Sequence, residues 1–247
     1  TLHETGHALY EQFCDPAYTR TPLATDLVGL YAVGGVSFGA HESQSRLFEN
    51  YVGRSREFWE LNYGELQATF PEQLGGINTE TFWRAINRVE PGLIRVESDE
   101  LTYDFHIMLR VEIEAALIDG SLKVPELPEV WNAKVKEYLG LDVPNDRLGV
   151  LQDVHWSSGQ VGTFCNYTIG NVMAGQLFAS ATEDHGVRDG LATADYLPLR
   201  EWMTEHVHRH GRRYTRDQLL EKATSRTLDP TFYIEHLTQK YSDIYGI

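Results

Sequence analysis

The sequence predicts a mainly α-helical protein with at most a small β element. Three observations lead to this prediction: apolar residues recur at helical spacing along most of the chain, cap residues and helix-ending prolines or glycines bound those segments, and few segments resemble strands. Of the 247 residues, 42% are hydrophobic and 23% are charged, which is ordinary for a globular protein. We find no internal repeat or long linker, so residues 1–247 are expected to form a single domain.

The first helices are predicted from apolar spacing and from the residues that end them. Leu2–Phe13 carries apolar residues on one helical face. Residues 15–40 contain prolines and several glycines and are predicted to form a loop, with one extended stretch at Tyr31–Phe38. His41–Phe70 is a long helical pattern, and Thr79–Val89 is a shorter helix that ends before a proline.

The middle of the chain holds a second segment with strand character, Gly92–Glu97. Asp99 can cap a helix that runs to Leu117, and Glu126–Leu139 is predicted to be another helix. Residues 149–167 are rich in glycine and serine and are predicted to be irregular. Four further helices are predicted at Ile169–Thr182, Asp195–Val207, Arg216–Ala223 and Pro230–Tyr241.

Charge and cysteine content exclude several classes of function. The chain has 36 acidic and 21 basic residues and a net charge of −15, so binding to nucleic acid or to an anionic membrane is not expected. The longest weakly polar run, Leu27–Ala40, is too short to span a bilayer. Cys14 and Cys165 are the only cysteines, which favours a reducing compartment, and we expect a cytoplasmic protein.

A metal-binding motif, H-E-x-x-H, lies in the first predicted helix. His3 and His7 are four residues apart and share one helical face, so both imidazoles can bind one cation. Glu4 is close enough along the helix to take a proton from water without being a ligand. The alternative is an amphipathic helix that carries two surface histidines.

Two arrangements can supply a third ligand. The metzincin form requires glycine and histidine where this chain has Tyr10 and Phe13, so it fails. The second arrangement takes a glutamate from the next helix. Glu42 is the first candidate, with Arg46 one turn later to orient its carboxylate, and Glu49 is the alternative ligand.

Several segments resemble signature blocks of the carboxypeptidase Taq family of metallocarboxypeptidases. They occur in the family's order: H-E-T-G-H-A-L-Y-E-Q, H-E-S-Q-S-R-L-F-E-N, I-R-V-E-S-D-E-L-T-Y, L-Q-D-V-H-W-S-S-G, E-H-V-H-R-H-G-R-R-Y and Y-S-D-I-Y-G-I. The resemblance implies a helical zinc-metallopeptidase domain with one Zn²⁺ per chain (Co²⁺ is also compatible), release of C-terminal residues from peptides, and a homodimer. It implies that His3, His7 and Glu42 are the ligands and that Glu4 is the general base.

The chain departs from the family pattern in several places. Family members are about twice as long, and the H-P-F and D-x-R-x-T motifs that precede H-E-x-x-H are absent here. The stretch between His7 and Glu42 also looks longer than usual. The family's G-Y-F-P-T-Y block reads G-T-F-C-N-Y at residues 162–167.

A carboxypeptidase must recognise a free carboxylate, and an arginine does this best. Arg95 is the candidate, since it follows a strand-like segment and precedes a helix. The alternative is a structural ion pair with one of the nearby acidic residues, which are Glu97, Asp99 and Glu100.

Two further residues are candidates for contact with the substrate. His155 lies in an irregular segment and is predicted to stabilise the oxyanion or bind the carboxylate, with Asp153 fixing its tautomer. A histidine packed beside Trp156 is the alternative. Tyr167 is a candidate hydroxyl donor, or else an amphipathic residue at a helix start.

His206, His208 and His210 are not expected to form a second metal site, because alternate positions on a helix point in different directions. A basic helix end that faces solvent or an interface is predicted instead.

Two other functions remain open. The chain could be a zinc oligopeptidase or endopeptidase. It could also be an inactive or split metal-binding half, since it starts at Thr1 with a motif at once, and the missing motifs would then come from a partner chain.

Overall fold

The computed structural model of the protein describes residues 1–19, 21–23 and 36–247. These residues form twelve α-helices, one π-helix and several short 3-10 turns, and no strand occurs among them. The mainly α-helical prediction is therefore confirmed. In this part of the chain, no helix is both long enough and apolar enough to cross a membrane.

The helices of the first third are α1 (Leu2–Phe13), α2 (Val36–Arg46), the π-helix (Leu47–Gly53), α3 (Arg56–Thr69), α4 (Pro71–Leu74) and α5 (Thr79–Ile86). The remaining helices are α6 (Tyr103–Asp119), α7 (Leu127–Leu139), α8 (Cys165–Ala181), α9 (His185–Ala192), α10 (Leu197–His206), α11 (Arg216–Thr224) and α12 (Thr231–Tyr245).

The predicted helix His41–Phe70 is interrupted in the structure. Helix α2 already begins at Val36, then the backbone passes into the π-helix, and Ser55 caps the start of α3 by accepting a hydrogen bond from the amide of Phe58. Of the predicted extended stretch Tyr31–Phe38, residues 36–38 are helical and residues 31–35 lie outside the described residues. The prediction of an extended stretch is therefore wrong at residues 36–38.

The predicted strand Gly92–Glu97 is also wrong. Residues Arg95–Glu97 form a 3-10 turn, and the amide of Arg95 donates to the side chain of Gln152 at 2.9 Å instead of to a neighbouring strand. A short apolar run cannot by itself distinguish a strand from another buried segment. Helix α9, His185–Ala192, was not predicted.

The described residues divide into two compact units. Unit 1 comprises Thr1–Ile86 and Ile169–Ile247, and unit 2 comprises Asn87–Thr168. The core of unit 1 includes Tyr10, Leu47, Phe48, Met173, Leu177, Leu199, Met203 and Leu220. The core of unit 2 lies where α6 packs on α7, and it includes Leu109, Ile113, Trp131, Val135 and Leu139.

Helices α1 and α2 of unit 1 approach each other closely at Gly6. A methyl group at residue 6 would lie 2.3 Å from the carbonyl oxygen of Gln44 and 2.6 Å from Cα of Ser45. Only glycine leaves room for this backbone contact. Because Gly6 lies between the two histidines of the motif, the same contact brings the motif against α2.

Candidate metal centre

His3, His7 and Glu42 converge in unit 1. One donor atom from each residue can be chosen so that all three lie within 4.8 Å of one another. Nε2 of His7 lies 3.4 Å from Oε2 of Glu42, and Nε2 of His3 lies 4.0 Å from the same oxygen. No second group of three potential ligands is found among the described residues. Two imidazole nitrogens and one carboxylate oxygen are a donor set typical of catalytic zinc, so these residues fit a divalent cation.

Glu42 is buried, with only 2% of its surface exposed. Arg46 donates from Nε to Oε1 of Glu42 at 3.1 Å, which leaves Oε2 for the two histidines. Burial alone would raise the pKa of Glu42, but the contact with His7 and the charge of Arg46 lower it below its ordinary value. The carboxylate is therefore ionised and oriented, as a metal ligand must be.

Glu49, the alternative ligand, contacts the other nitrogen of His3. Its Oε2 lies 2.9 Å from Nδ1 of His3 and 3.2 Å from Nη1 of Arg46, and its Oε1 lies 3.5 Å from Nη2 of Arg54. Burial opposes ionisation, but the hydrogen bond with His3 and the neighbouring arginines lower the pKa of Glu49 to about 2. The ionised carboxylate accepts a hydrogen bond from Nδ1–H of His3, so Nε2 of His3 keeps its lone pair free for a cation.

Glu4, the candidate general base, lies in the first turn of α1 and is exposed. An exposed carboxylate beside the histidines can reach water and keeps its rotational freedom. Its neighbour in sequence, His3, is only partly exposed.

Two glycines make room for the site, and the sequence did not single them out. Gly6 allows the contact between α1 and α2, and Gly170 in α8 lies against Glu42. A methyl group at residue 170 would lie 2.8 Å from Cγ of Glu42. The signal available in the sequence was a glycine inside a helical pattern, which often marks close packing.

In unit 2, Arg95 forms part of a buried ion cluster. Its Nε and Nη2 donate to Oδ1 of Asp153 at 3.0 and 2.8 Å, and its Nη1 donates to the hydroxyl of Tyr103 at 3.1 Å. Arg110, which sequence reasoning missed, donates to Oδ2 of Asp153 at 2.8 and 2.6 Å. Burial would raise the pKa of Asp153, but the two arginines lower it below its ordinary value. Arg95 is thus paired with Asp153, which was not among the acidic partners considered from sequence.

His155 and Tyr167 of unit 2 contact each other. Nε2 of His155 lies 3.0 Å from the Tyr167 hydroxyl, and the His155 ring packs on Phe164 with centroids 4.4 Å apart. Asp153 lies 3.9 Å from Nδ1 of His155, which is too long for the expected hydrogen bond. Burial and the charge of Arg95 lower the pKa of His155, so its ring is neutral at pH 7.

His206, the last residue of α10, and the two histidines that follow it diverge. His206 contacts the carbonyl of Trp202, and His210 packs on Tyr214. His208 is buried, contrary to the expectation of a helix end that faces solvent or an interface, and its Nε2 lies 2.8 Å from Oε1 of Gln44. Burial lowers the pKa of His208 to about 3.

Comparison with known proteins identifies the family to which the chain belongs. The profile of the carboxypeptidase Taq (M32) metallopeptidases matches residues 1–241. Carboxypeptidase 1 of Bacillus subtilis is 41% identical over 246 residues, which are 99% of this chain and 47% of that protein. Thermostable carboxypeptidase 1 of Thermus thermophilus is 40% identical, over 100% of this chain and 46% of that protein.

Solved structures of similar proteins superpose on the whole chain or nearly all of it. The crystal structure of the M32 carboxypeptidase from Deinococcus radiodurans superposes with a TM-score of 0.91 at 46% identity and covers 100% of this chain and 48% of that chain. Trypanosoma cruzi metallocarboxypeptidase 1 superposes with a TM-score of 0.86 at 40% identity, over 98% of this chain and 49% of that chain. The chain spans about half the length of the curated relatives it matches. It belongs to the carboxypeptidase Taq (M32) family of metallopeptidases.

Proposed function

We propose that this chain carries the metal centre of a carboxypeptidase, an enzyme that hydrolyses the last peptide bond of a peptide with a free C-terminus. The observation that supports the proposal is the convergence of His3, His7 and Glu42 on donor positions within 4.8 Å of one another. These three residues would hold one Zn²⁺, or Co²⁺, per chain. When bound, the cation polarises the scissile carbonyl and makes water a stronger nucleophile.

The residues around the site have separate tasks. Glu4 takes the proton from the attacking water and later delivers it to the leaving amine. Glu49 holds Nδ1 of His3 at 2.9 Å, and Arg46 holds Oε1 of Glu42 at 3.1 Å, so both ligands keep their orientation. This preorganisation reduces the cost of ordering ligands when the cation binds.

We also propose that Arg95, with His155 and Tyr167, receives the C-terminal carboxylate of the substrate. Arg95 and Arg110 share the single carboxylate of Asp153, so this cluster keeps a net positive charge within a chain of net charge −15. A buried net positive charge favours an anion. The neutral His155 ring and the Tyr167 hydroxyl can add hydrogen bonds to it.

A second candidate function is a metal-binding half that requires further polypeptide for catalysis. The observation that favours it is the coverage of only 46–47% of the curated relatives. A homodimer is a proposal that rests on the family resemblance, and a cytoplasmic location is a proposal that rests on the cysteine content of the sequence. An endopeptidase or oligopeptidase is the alternative within the same chemistry.

The test combines metal content with hydrolysis by the isolated chain. We expect one equivalent of zinc and cleavage of an N-blocked dipeptide that has a free C-terminus, but not of its C-terminal amide. Glu4→Gln should keep the metal and lower kcat/KM by at least about 100-fold, whereas Glu221→Gln, an exposed glutamate of α11, should change neither. Equal cleavage of acid and amide would favour an endopeptidase, and bound metal without turnover would favour the second candidate.

A further inference from the structure

His41 lies in the buried interior of unit 1, directly beside His7. Its side chain has no exposed surface, and its Nδ1 lies 2.6 Å from Nδ1 of His7. The two ring centroids are 4.7 Å apart. His41 and Glu42 are consecutive residues of α2, and they contact opposite nitrogens of the same imidazole, since Oε2 of Glu42 lies 3.4 Å from Nε2 of His7.

Metal binding by His7 determines where the protons of this pair lie. If His7 binds a cation through Nε2, that nitrogen carries no proton, and the proton of the neutral ring lies on Nδ1. A contact of 2.6 Å between two ring nitrogens is a hydrogen bond only if one of them donates and the other accepts. His7 therefore donates from Nδ1, and Nδ1 of His41 accepts. A neutral His41 then carries its own proton on Nε2.

Glu11 lies on the Nε2 side of the His41 ring. Its Oε1 is 3.4 Å from Nε2 of His41, and Glu11 is on α1, one turn after His7. The carboxylate is partly exposed, whereas His41 is fully buried. A negative charge next to Nε2 favours the tautomer of His41 that keeps its proton there.

An aromatic ring packs on His41 from another side. The Tyr10 ring has its centroid 5.2 Å away, and Tyr10 in turn packs on His208. Tyr10 donates its hydroxyl proton to the carbonyl of Gly211, so it does not compete for the nitrogens of His41.

We propose that Glu11, His41 and His7 form an ordered chain, in which His7 donates a hydrogen bond to His41 and the Glu11 carboxylate attracts the Nε2–H group of His41. In this chain His41 is a positioning residue that holds His7 in its metal-binding tautomer. The proposal rests on the metal centre proposed above. It assigns a role to His41, the first residue of the H-E-S-Q segment. From the sequence, only Glu42 of this segment was a candidate functional residue. It also gives a role to Glu11. Helix α1 supplies His7 and, one turn later, the Glu11 carboxylate that lies beside His41.

The test measures metal affinity rather than turnover. Zinc and Co²⁺ dissociation constants are determined by competition with a chromophoric chelator for the wild type and four variants. His41→Phe should weaken binding by about 10- to 100-fold. His41→Gln should recover part of this loss, because the glutamine amide oxygen can accept a hydrogen bond from Nδ1–H of His7. Glu11→Gln should weaken binding by a smaller factor, about three- to tenfold.

His208→Phe is the matched control, since it replaces a buried histidine that contacts Gln44 instead of a ligand. It should leave the dissociation constants within about twofold of the wild type. An equal loss in His208→Phe and His41→Phe would overturn the proposal, because packing alone would then account for it. Wild-type affinity in His41→Phe would also overturn it.

One further measurement tests the tautomers directly, and the wild-type metal affinity shows whether the positioning role or the metal centre itself has failed. Two-bond ¹H–¹⁵N spectra of the zinc-loaded protein should show the proton on Nδ1 of His7 and on Nε2 of His41, and the opposite tautomer of His41 would refute the chain. This readout does not depend on variants that fold poorly. If the wild type itself binds no metal, the proposed metal centre fails. If the wild type binds metal and His41→Phe binds it equally well, only the positioning role fails.

Discussion

Glu49 holds Nδ1 of His3 at 2.9 Å, and it is not one of the three residues whose donor atoms converge. From sequence, Glu42 and Glu49 were alternatives for one role. The structure instead gives them different partners, since Glu42 lies between Arg46 and the histidines whereas Glu49 contacts His3 from its other nitrogen.

Glutamine substitutions should therefore have unequal effects on metal binding. Glu42→Gln removes the only carboxylate of the convergent group and should lower zinc affinity by more than about 100-fold. Glu49→Gln should keep one equivalent of zinc with an affinity about 10- to 100-fold lower, because only the orientation of His3 is affected. Metal analysis and chelator competition measure both. Loss of zinc in Glu49→Gln with retention in Glu42→Gln would reverse the ligand assignment.

Gly6→Ala should destabilise unit 1. The added methyl group would meet backbone atoms of α2 at 2.3 Å, and backbone cannot move aside as a side chain can. We expect a loss of about 1–3 kcal/mol in the free energy of unfolding, measured in urea. Gly64→Ala in α3 is the control, because nothing lies within 4 Å of that position. It should gain about 0.5–1 kcal/mol from helix propensity, and equal effects of the two variants would contradict the close contact.

Gly170→Ala should act on the metal instead. Its methyl group would lie 2.8 Å from Cγ of Glu42, so we expect the Glu42 side chain to be displaced from its position beside the histidines. Ligand positions tolerate errors of only about 0.2 Å. We expect zinc affinity to fall by about tenfold or more, measured by chelator competition, with Gly64→Ala unchanged. Wild-type zinc affinity in Gly170→Ala would contradict this prediction, because the Glu42 side chain would then adjust without displacing its carboxylate.

Asp153→Asn should strongly destabilise unit 2. Asp153 is the shared anion of Arg95 and Arg110, and its loss leaves two buried guanidinium groups without a counter-charge. Breaking a buried ion pair from one side costs about 3–5 kcal/mol. Asp142→Asn is the control, since Asp142 pairs with Lys136 at the surface and should cost less than about 1 kcal/mol. Hydrogen exchange of α6 and α7 reports the difference, and similar exchange in both variants would refute the role of the cluster.

His106 should make unit 2 less stable in acid. It is buried, and burial together with the charges of Arg110 and Arg95 lowers its pKa to about 4, against an opposing effect of Asp153. Between pH 6.5 and 4 the unfolded chain binds a proton that the folded chain does not, so stability falls as the pH falls. His106 should account for a loss of about 3 kcal/mol in the free energy of unfolding between these two pH values. Urea unfolding of wild type and His106→Gln at pH 7 and pH 4 measures it, and parallel losses in both proteins would exclude His106 as the cause.

Local sequence patterns were sufficient to predict helix α1 and the shared face of its two histidines. Two histidines four residues apart share a face whatever surrounds them, and Arg46 follows Glu42 by one turn, so their contact at 3.1 Å was also predictable. The π-helix was not predictable, because apolar spacing does not reveal an extra residue per turn at Leu47–Gly53.

Long-range pairing limited prediction in unit 2. Arg95 meets Asp153 58 residues later, and Arg110 meets it 43 residues later. No local pattern specifies such partners, so nearby acidic residues were considered instead. The strand prediction at Gly92–Glu97 failed for the same reason, since the side chain of Gln152, which is distant in sequence, binds the backbone of Leu93 and Arg95.

The close backbone contact at Gly6 restricts which distant relatives can form this site. A homologue can keep both histidines and both glutamates and still hold its two helices too far apart, if a bulkier residue occupies the crossing point. Counting ligands would then misclassify it as zinc-competent. The convergence of the histidines with Glu42 therefore depends on the missing side chain at residue 6 as well as on the donors themselves.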